Sequence, residues 1–146
     1  MRLPLRPPLV DLAVDTSALI SILQNERSSP AIEAALAASG SAVITTASML
    51  EASMVAFGRM GDDGPAALDR ICVSAGLVSM PIDDVLIAGA RDAFVRFGKG
   101  RHPGGLNFGD CFSYALARIL DAPLLIQRDA LYLLERIASV LSLIHI

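Results

Sequence analysis

The apolar residues of this chain form short continuous runs, and the runs alternate with stretches in which apolar residues recur every third or fourth position. Four runs are short and apolar enough to be buried strands, at residues 9–14, 42–45, 77–82 and 123–126. The helical pattern fills the remaining intervals, at residues 17–24, 30–38, 48–59, 65–74, 83–97 and 107–120. Such alternation predicts an α/β fold in which helices flank a mostly parallel sheet of four to five strands.

The positions of the apolar residues also predict which surfaces are buried. In the helix at 48–59, Leu50, Met54 and Phe57 recur at the spacing of one helix face, which predicts that they pack into the core. Helical spacing likewise predicts core positions, rather than base-stacking positions, for the other phenylalanines, Phe94, Phe108 and Phe112. In contrast, the segment GKGRHPGGL at 98–106 predicts a mobile, basic surface loop without a packed side.

Composition limits the class of protein. The chain has 146 residues, of which 53% are hydrophobic and 18% charged, as expected for one globular domain. Its longest uncharged stretch, 34–50, is interrupted by polar residues, so we predict no membrane span. We find no signal peptide before Asp11, and Cys72 and Cys111 lack metal-ligand spacing. These features predict a cytoplasmic protein with reduced thiols. The net charge of −3 argues weakly against a dedicated nucleic-acid binder, but it is compatible with an acidic metal site.

The last six residues, LSLIHI, have a possible origin outside the gene. This hexapeptide is the translation of a transposase adapter end used in sequencing libraries. We therefore predict that the domain comprises residues 1–140 and that 141–146 is a non-native tail. The alternative is a genuine apolar strand at the C-terminus.

Three acids occupy equivalent positions, each where a helix begins. Asp15 follows the first strand, Glu51 lies early in the helix after the second strand, and Asp110 lies in the first turn of the helix at 107–120. Ligands of open parallel sheets bind outside the carboxyl ends of the strands, so these carboxylates can converge on one divalent cation. Spacing alone leaves another interpretation open, because Asp15, the Ser48–Glu51 pair and the Asn107–Asp110 pair also match helix-capping patterns.

Three longer segments decide between these interpretations. VDTSALISIL at 14–23, SAVITTASMLEASMV at 41–55 and RFGKGRHPGGLNFGDCFSYALAR at 96–118 resemble the PIN-domain family, in particular its VapC-type toxins. The third segment is the most specific of them. The resemblance extends over residues 10–126 and therefore covers most of the chain.

The resemblance implies a fold and an activity. It implies a single PIN-like domain of three layers and a metal-dependent endoribonuclease that is the toxin of a type II toxin–antitoxin module. The catalytic, metal-binding residues would be Asp15, Glu51 and Asp110, which would hold Mg²⁺ or Mn²⁺. The substrate would be RNA, either tRNA or ribosomal RNA. The partners would be a VapB-type antitoxin and a second copy of the toxin.

One segment departs from the family pattern. The family usually carries a further acid just after the fourth strand, where this chain reads QRDALYLLERI at 127–137. Asp129 stands one residue before the expected position, and we treat it as a candidate fourth metal ligand. The departure also supports an alternative function, a non-catalytic PIN-like scaffold that binds RNA or protein. A phosphatase of the haloacid dehalogenase type is disfavoured, because it needs a second Asp where Ser17 stands.

Four further residues are candidates for contacts with the substrate. Thr16 and Ser17 could orient a carboxylate or a metal-bound water, although such hydroxyls also cap helices. Lys99 and Arg101 precede the helix of Asp110 and could meet RNA phosphates, although they could equally form a solvated basic loop. We do not predict a ligand or base role for His102.

Overall fold

The computed structural model describes residues 11–127 and 143–145. All four predicted strands and all six predicted helices are present, with boundaries shifted by a few residues. The strands are β1 (Asp11–Val14), β2 (Ser41–Thr45), β3 (Val78–Met80), β4 (Leu124–Ile126) and β5 (Leu143–His145). The helices are α1 (Thr16–Leu23), α2 (Ser29–Ala38), α3 (Thr46–Met60), α4 (Asp63–Ala75), α5 (Asp84–Phe97) and α6 (Phe108–Leu120).

The strands form one parallel sheet in the order β3-β2-β1-β4-β5. From β1 the chain builds outward through β2 and β3 on one side, and β4 then pairs with the other side of β1. The strand order therefore reverses between β1 and β4, where Ala13 is opposite Leu124 and Val14 is opposite Leu125. In open parallel sheets, ligands bind in the crevice outside the carboxyl ends of the strands at such a reversal.

Alternate residues of the strands face two separate cores, which gives the three layers predicted from the sequence. One core joins Ala13, Val43 and Leu124 to buried residues of α5 and α6. The other joins Val14 and Ile44, among others, to buried residues of α1, α2, α3 and α4. Because β1 has side chains in both cores, it is held in place from both faces. The residue that follows it is therefore held by a strand that is packed on both faces.

The structure contradicts the predicted orientation of α3. Leu50, Met54 and Phe57 are 62%, 66% and 55% exposed, whereas the buried positions of this helix are Ser48, Ala52 and Ala56. Small residues face inward because α4 approaches closely: a Cβ added at Gly64 would lie 2.2 Å from the Ala56 carbonyl oxygen. Larger side chains would not fit between the two helices.

Two other core predictions need correction. Of the remaining phenylalanines at helical spacing, Phe112 is buried as predicted, but Phe94 and Phe108 are exposed. The segment 98–106 is not an unpacked loop. A bridge between Gly98 and Leu106 closes its base, and Leu106 is only 1% exposed. The packed side comes from tertiary contacts that the Gly-rich sequence does not indicate.

Two predictions concern the ends of the chain. The backbone of Leu143–His145 pairs with β4, so a strand is present here in the structure, while the non-native origin of 141–146 stays a prediction. Asp129 lies outside the described residues. Within the part of the chain that is described, none of the helices combines the length and the apolar character needed to cross a bilayer.

Candidate active site

Asp15 lies directly after β1, at the carboxyl edge of the sheet where the strand order reverses. It is the N-cap of α1, as the capping interpretation predicted, and its Oδ2 accepts a hydrogen bond of 3.0 Å from the backbone N–H of Ser17. Its own N–H donates to the carbonyl oxygen of Leu125 in β4. The side chain is only 3% exposed. The Asp15 carboxylate is therefore almost completely removed from water. Its burial costs free energy unless hydrogen bonds or cations compensate for the lost hydration.

Asp110 lies in the first turn of α6 and is also buried, with 4% of its surface exposed. The predicted capping box is confirmed: Asp110 Oδ2 accepts from the N–H of Asn107 at 3.0 Å, and Asn107 Oδ1 accepts from the N–H of Asp110 at 2.9 Å. This reciprocal pair determines where α6 begins. It therefore sets the position of the Asp110 carboxylate along the helix axis.

Ser113 links Asp15 to the helix that carries Asp110. It lies one turn after Asp110 on α6, is fully enclosed, and donates a short hydrogen bond from its hydroxyl to Asp15 Oδ1. A single side chain thereby connects the end of β1 to the helix of Asp110. Ser113 is not among the residues predicted from the sequence, although its spacing of three residues from Asp110 places it on the same helix face.

Glu51 reaches the same region from α3 and is exposed. Its carboxylate lies over Gly109, where an added Cβ would be 2.8 Å from Oε2 and 3.1 Å from Oε1. Glu51 is therefore adjacent to the residue that precedes Asp110. The alternative capping box of Ser48 and Glu51 is wrong, because α3 begins earlier: Thr45 is its N-cap and accepts a hydrogen bond from the N–H of Ser48.

Asp15 and Glu51 both approach the first two turns of α6, where Asp110 lies, but the three acids do not form one metal-binding cluster. Within the described residues, no three His, Cys, Asp or Glu side chains are arranged to hold a metal ion. Asp15 is hydrogen-bonded to Ser113 on the helix that carries Asp110, and the Glu51 carboxylate lies over Gly109 on the same helix.

The sequence profile of the PIN domain matches residues 12–139 of this chain. The chain belongs to the PIN-domain family. Among curated proteins, it is 40% identical over 124 residues to "Ribonuclease VapC" of Mycolicibacterium smegmatis, a match that covers 85% of this chain and 96% of that protein. The family expected from the sequence, and its VapC group, are therefore confirmed.

Solved structures show the same fold. VapC20 of Mycobacterium tuberculosis, described as a sarcin–ricin loop cleaving toxin, matches with a TM-score of 0.62 at 16% identity. The match covers 78% of this PIN domain and 86% of that chain. VapBC-1 of nontypeable Haemophilus influenzae matches with a TM-score of 0.66 at 17% identity, over 92% and 97% of the two chains.

Two hydroxyl groups of this PIN domain form hydrogen bonds between the structural elements around Asp15. Thr16 is buried, and its hydroxyl donates to the backbone carbonyl of Ser48 at 2.9 Å, which ties α1 to the first turn of α3. The hydroxyl of Ser17 accepts from the N–H of Gln127 at 2.9 Å, which ties α1 to the end of β4. Both residues therefore hold together the elements that surround Asp15. A contact of either residue with substrate stays a prediction.

The remaining candidate residues lie on the loop before α6. Lys99 and Arg101 are exposed, whereas His102 is half-buried. Next to Asp110, Cys111 is a buried free thiol, and burial raises its pKa above the ordinary value of 9.0. A thiol with a raised pKa is a poor nucleophile at neutral pH, so the geometry does not favour cysteine chemistry in this PIN domain.

Proposed function

We propose that this PIN domain is a divalent-metal-dependent endoribonuclease and the toxin of a type II toxin–antitoxin module. The observation that carries the proposal is a pair of buried carboxylates: Asp15, at the point where the strand order reverses, and Asp110, on the helix whose Ser113 donates a hydrogen bond to Asp15. The likeness to a ribonuclease VapC over most of both chains supports RNA as the substrate.

The donor chemistry of the site suits Mg²⁺ or Mn²⁺. These hard cations take carboxylate oxygens, and Mg²⁺ usually binds one or two carboxylates while it keeps several waters. A site in which Asp15 and Asp110 are buried and Glu51 is exposed fits that mode better than a closed cage of protein ligands would. We propose these three residues as the ligands, with Asp129 as a candidate fourth.

Residues around the proposed site either orient the buried carboxylates or face solvent and substrate. Ser113 and the N–H of Ser17 each use one acceptor site of the Asp15 carboxylate, so the remaining lone pairs are directed but still available. The capping box orients the Asp110 carboxylate at the start of α6. Exposed Glu51 is the acid that solvent and substrate can reach. A bound divalent cation would neutralise the negative charge of these carboxylates, activate a water and stabilise the leaving oxygen of the phosphodiester.

The decisive experiment compares acid variants on RNA. Purified protein should cleave bulk tRNA or ribosomal RNA in Mg²⁺ or Mn²⁺, and EDTA should stop the reaction. Asp15→Asn and Asp110→Asn should abolish cleavage without unfolding the protein. Asp92→Asn, which changes an exposed acid of α5, is the matched control and should cleave normally. Metal-independent RNA binding without cleavage would instead indicate the non-catalytic scaffold.

A VapB-type antitoxin is the proposed protein partner, supported by the likeness to VapBC-1. A basic residue of such a partner, in particular an arginine, would pair with the acids of the site, because a guanidinium binds a carboxylate through two hydrogen bonds. Expression of the chain alone in a bacterium should arrest growth, and Glu51→Gln should relieve the arrest. Arrest that persists in Glu51→Gln would contradict a role of this acid in toxicity.

We also propose that the toxin is a homodimer. The apolar side chains of Leu50, Met54 and Phe57, exposed along one face of α3, supply a surface that a second copy would cover. Light scattering should give the mass of two chains, and Met54→Glu should convert the dimer to monomers. Val73→Glu, at an exposed apolar position of α4, is the control. A monomeric wild-type chain would rule out the homodimer.

A further inference from the structure

His102 is the centre of the hydrogen bonding in the loop 98–106. Its backbone N–H donates to the carbonyl oxygen of Gly98 at 3.1 Å, and its carbonyl oxygen accepts from the N–H of Gly105 at 2.9 Å. Its ring atom Nδ1 accepts a third hydrogen bond, of 2.8 Å, from the N–H of Gly104. The N–H of Lys99 also donates to the carbonyl oxygen of Leu106 at 2.9 Å, which closes the base of the loop. The basic residues Lys99 and Arg101 lie in the first half.

The ring of His102 also fastens the loop to the helices beneath it. It meets the ring of Phe97 edge-on, with centroids 5.2 Å apart, and Phe97 in turn packs against Tyr114 at 5.5 Å. Phe97 is the last residue of α5, and Tyr114 lies on α6, one turn beyond Asp110. The loop is therefore joined through aromatic contacts to the helix that carries the proposed metal ligand.

The acceptor role of Nδ1 has a chemical consequence. A backbone N–H can only donate, so Nδ1 must be the unprotonated nitrogen of the ring, and the proton of the neutral imidazole is on Nε2. The hydrogen bond from the Gly104 N–H requires an acceptor atom at this position, but that atom need not belong to a histidine. Asparagine can present its side-chain oxygen near the position of Nδ1, whereas phenylalanine keeps the ring but has no acceptor.

We propose that His102 is a positioning residue for RNA: through Nδ1 it holds the loop in the conformation that presents Lys99 and Arg101 to the phosphates of the substrate. The inference rests on the proposed ribonuclease function and names a residue that acts on RNA only through the two cations. Lys99 and Arg101 are exposed, as phosphate contacts require, while His102 and Leu106 anchor the loop from within.

Three variants test the proposal through the loop itself and through RNA binding. Hydrogen exchange of the Gly104 amide reports the bond to Nδ1 without any substrate. Binding of fluorescein-labelled bulk tRNA, measured by anisotropy in EDTA, reports substrate contacts without cleavage. His102→Phe should speed exchange of the Gly104 amide and weaken RNA binding about two- to tenfold, the size expected for loss of one hydrogen bond that orders the loop. His102→Asn should restore both properties towards the wild type.

A third variant tests whether His102 affects RNA binding only by positioning Lys99 and Arg101. In a Lys99→Ala/Arg101→Ala background, His102→Phe should weaken RNA binding no further, because the residues it positions are gone. In cleavage assays His102→Phe should raise KM and leave kcat unchanged, since the proposed ligands Asp15 and Asp110 lie outside the loop.

Failure of this inference can be distinguished from failure of the proposed ribonuclease function. Wild-type affinity for RNA in His102→Phe would overturn the inference alone, and so would failure of His102→Asn to restore binding. A further loss of RNA binding on adding His102→Phe to the Lys99→Ala/Arg101→Ala variant would also overturn it. If the wild-type chain binds no RNA, the proposed function fails and the inference falls with it, whatever the exchange of Gly104 shows.

Discussion

The contact between Glu51 and Gly109 predicts a variant in which stability and activity change independently. Gly109 is in the first turn of α6, where the Glu51 carboxylate occupies the space of the absent Cβ. Gly109→Ala would place a methyl carbon 2.8 Å from Glu51 Oε2, closer than ordinary contact at 3.4 Å. The carboxylate must therefore withdraw by about 0.6 Å or rotate away from α6.

The expected changes in stability and activity depend on whether the Glu51 side chain or α6 moves to make room for the methyl group. Glu51 is exposed and flexible, so its displacement costs little folding free energy, and alanine is favoured over glycine in a helix by about 0.5–1 kcal/mol. We therefore expect the free energy of unfolding to stay constant or rise by up to about 1 kcal/mol. Metal sites tolerate misplacement poorly: displacing groups that orient a ligand commonly costs about 10- to 100-fold in affinity or activity. We expect Mn²⁺ affinity and RNA cleavage to fall about tenfold.

The assay combines calorimetric titration with Mn²⁺, urea unfolding and cleavage of bulk tRNA. Gly58→Ala is the matched control, because Gly58 lies within α3 and an added Cβ would meet nothing within 4 Å. It should gain the same stability without loss of metal affinity. In a Glu51→Gln background, Gly109→Ala should cause no further loss, because the displaced carboxylate is no longer there.

Two results would refute the reasoning. Normal Mn²⁺ affinity and normal cleavage in Gly109→Ala, together with impaired Glu51→Gln, would show that Glu51 does not act from its position over Gly109. A large loss of stability in Gly109→Ala would show that the surroundings of α6, and not the Glu51 side chain, resist the added methyl group.

The structure supports four further predictions. Ser113→Ala should lower the free energy of unfolding by about 1.5–3 kcal/mol, because the Asp15 carboxylate loses a buried donor, and urea unfolding with Ser113→Thr as the rescue variant checks this. Lys99→Ala with Arg101→Ala should weaken RNA binding and flatten its dependence on salt, while Mn²⁺ affinity measured by calorimetry stays normal. Asp15→Asn should weaken antitoxin binding, and Mg²⁺ should compete with the antitoxin in the wild type; a titration insensitive to both would place the partner elsewhere. Burial raises the pKa of the Cys111 thiol from its ordinary value, so the folded state holds the thiol proton more tightly than the unfolded state does. The contribution of Cys111 to stability should therefore be fully present below the unfolded pKa and be lost as pH rises through the folded pKa, and urea unfolding over this pH range should show a smaller decline in Cys111→Ala.

Local sequence determined the elements and some of their caps. Runs of apolar residues are too short for helices and too continuous for exposed loops, so the alternation of strands and helices could be predicted without knowledge of tertiary contacts. Asp15 as a cap and the Asn107–Asp110 capping box were also predictable, because the interacting groups lie within three residues of each other. Caps of this kind place two of the three acids at helix starts before any packing occurs.

Tertiary packing decided which faces are buried and how the acids meet. The inward face of α3 depends on how closely α4 approaches at Gly64, and periodicity alone favoured the opposite face because its side chains are larger. The bond from Ser113 to Asp15 joins residues 98 positions apart, so no local pattern encodes it. The placement of Glu51 over Gly109 likewise depends on α3 and α6 packing side by side. The sequence therefore determines which carboxylates are available, and the packing of α3 and α6 around β1 determines their geometry, because distances between separate elements are set only when the two cores close.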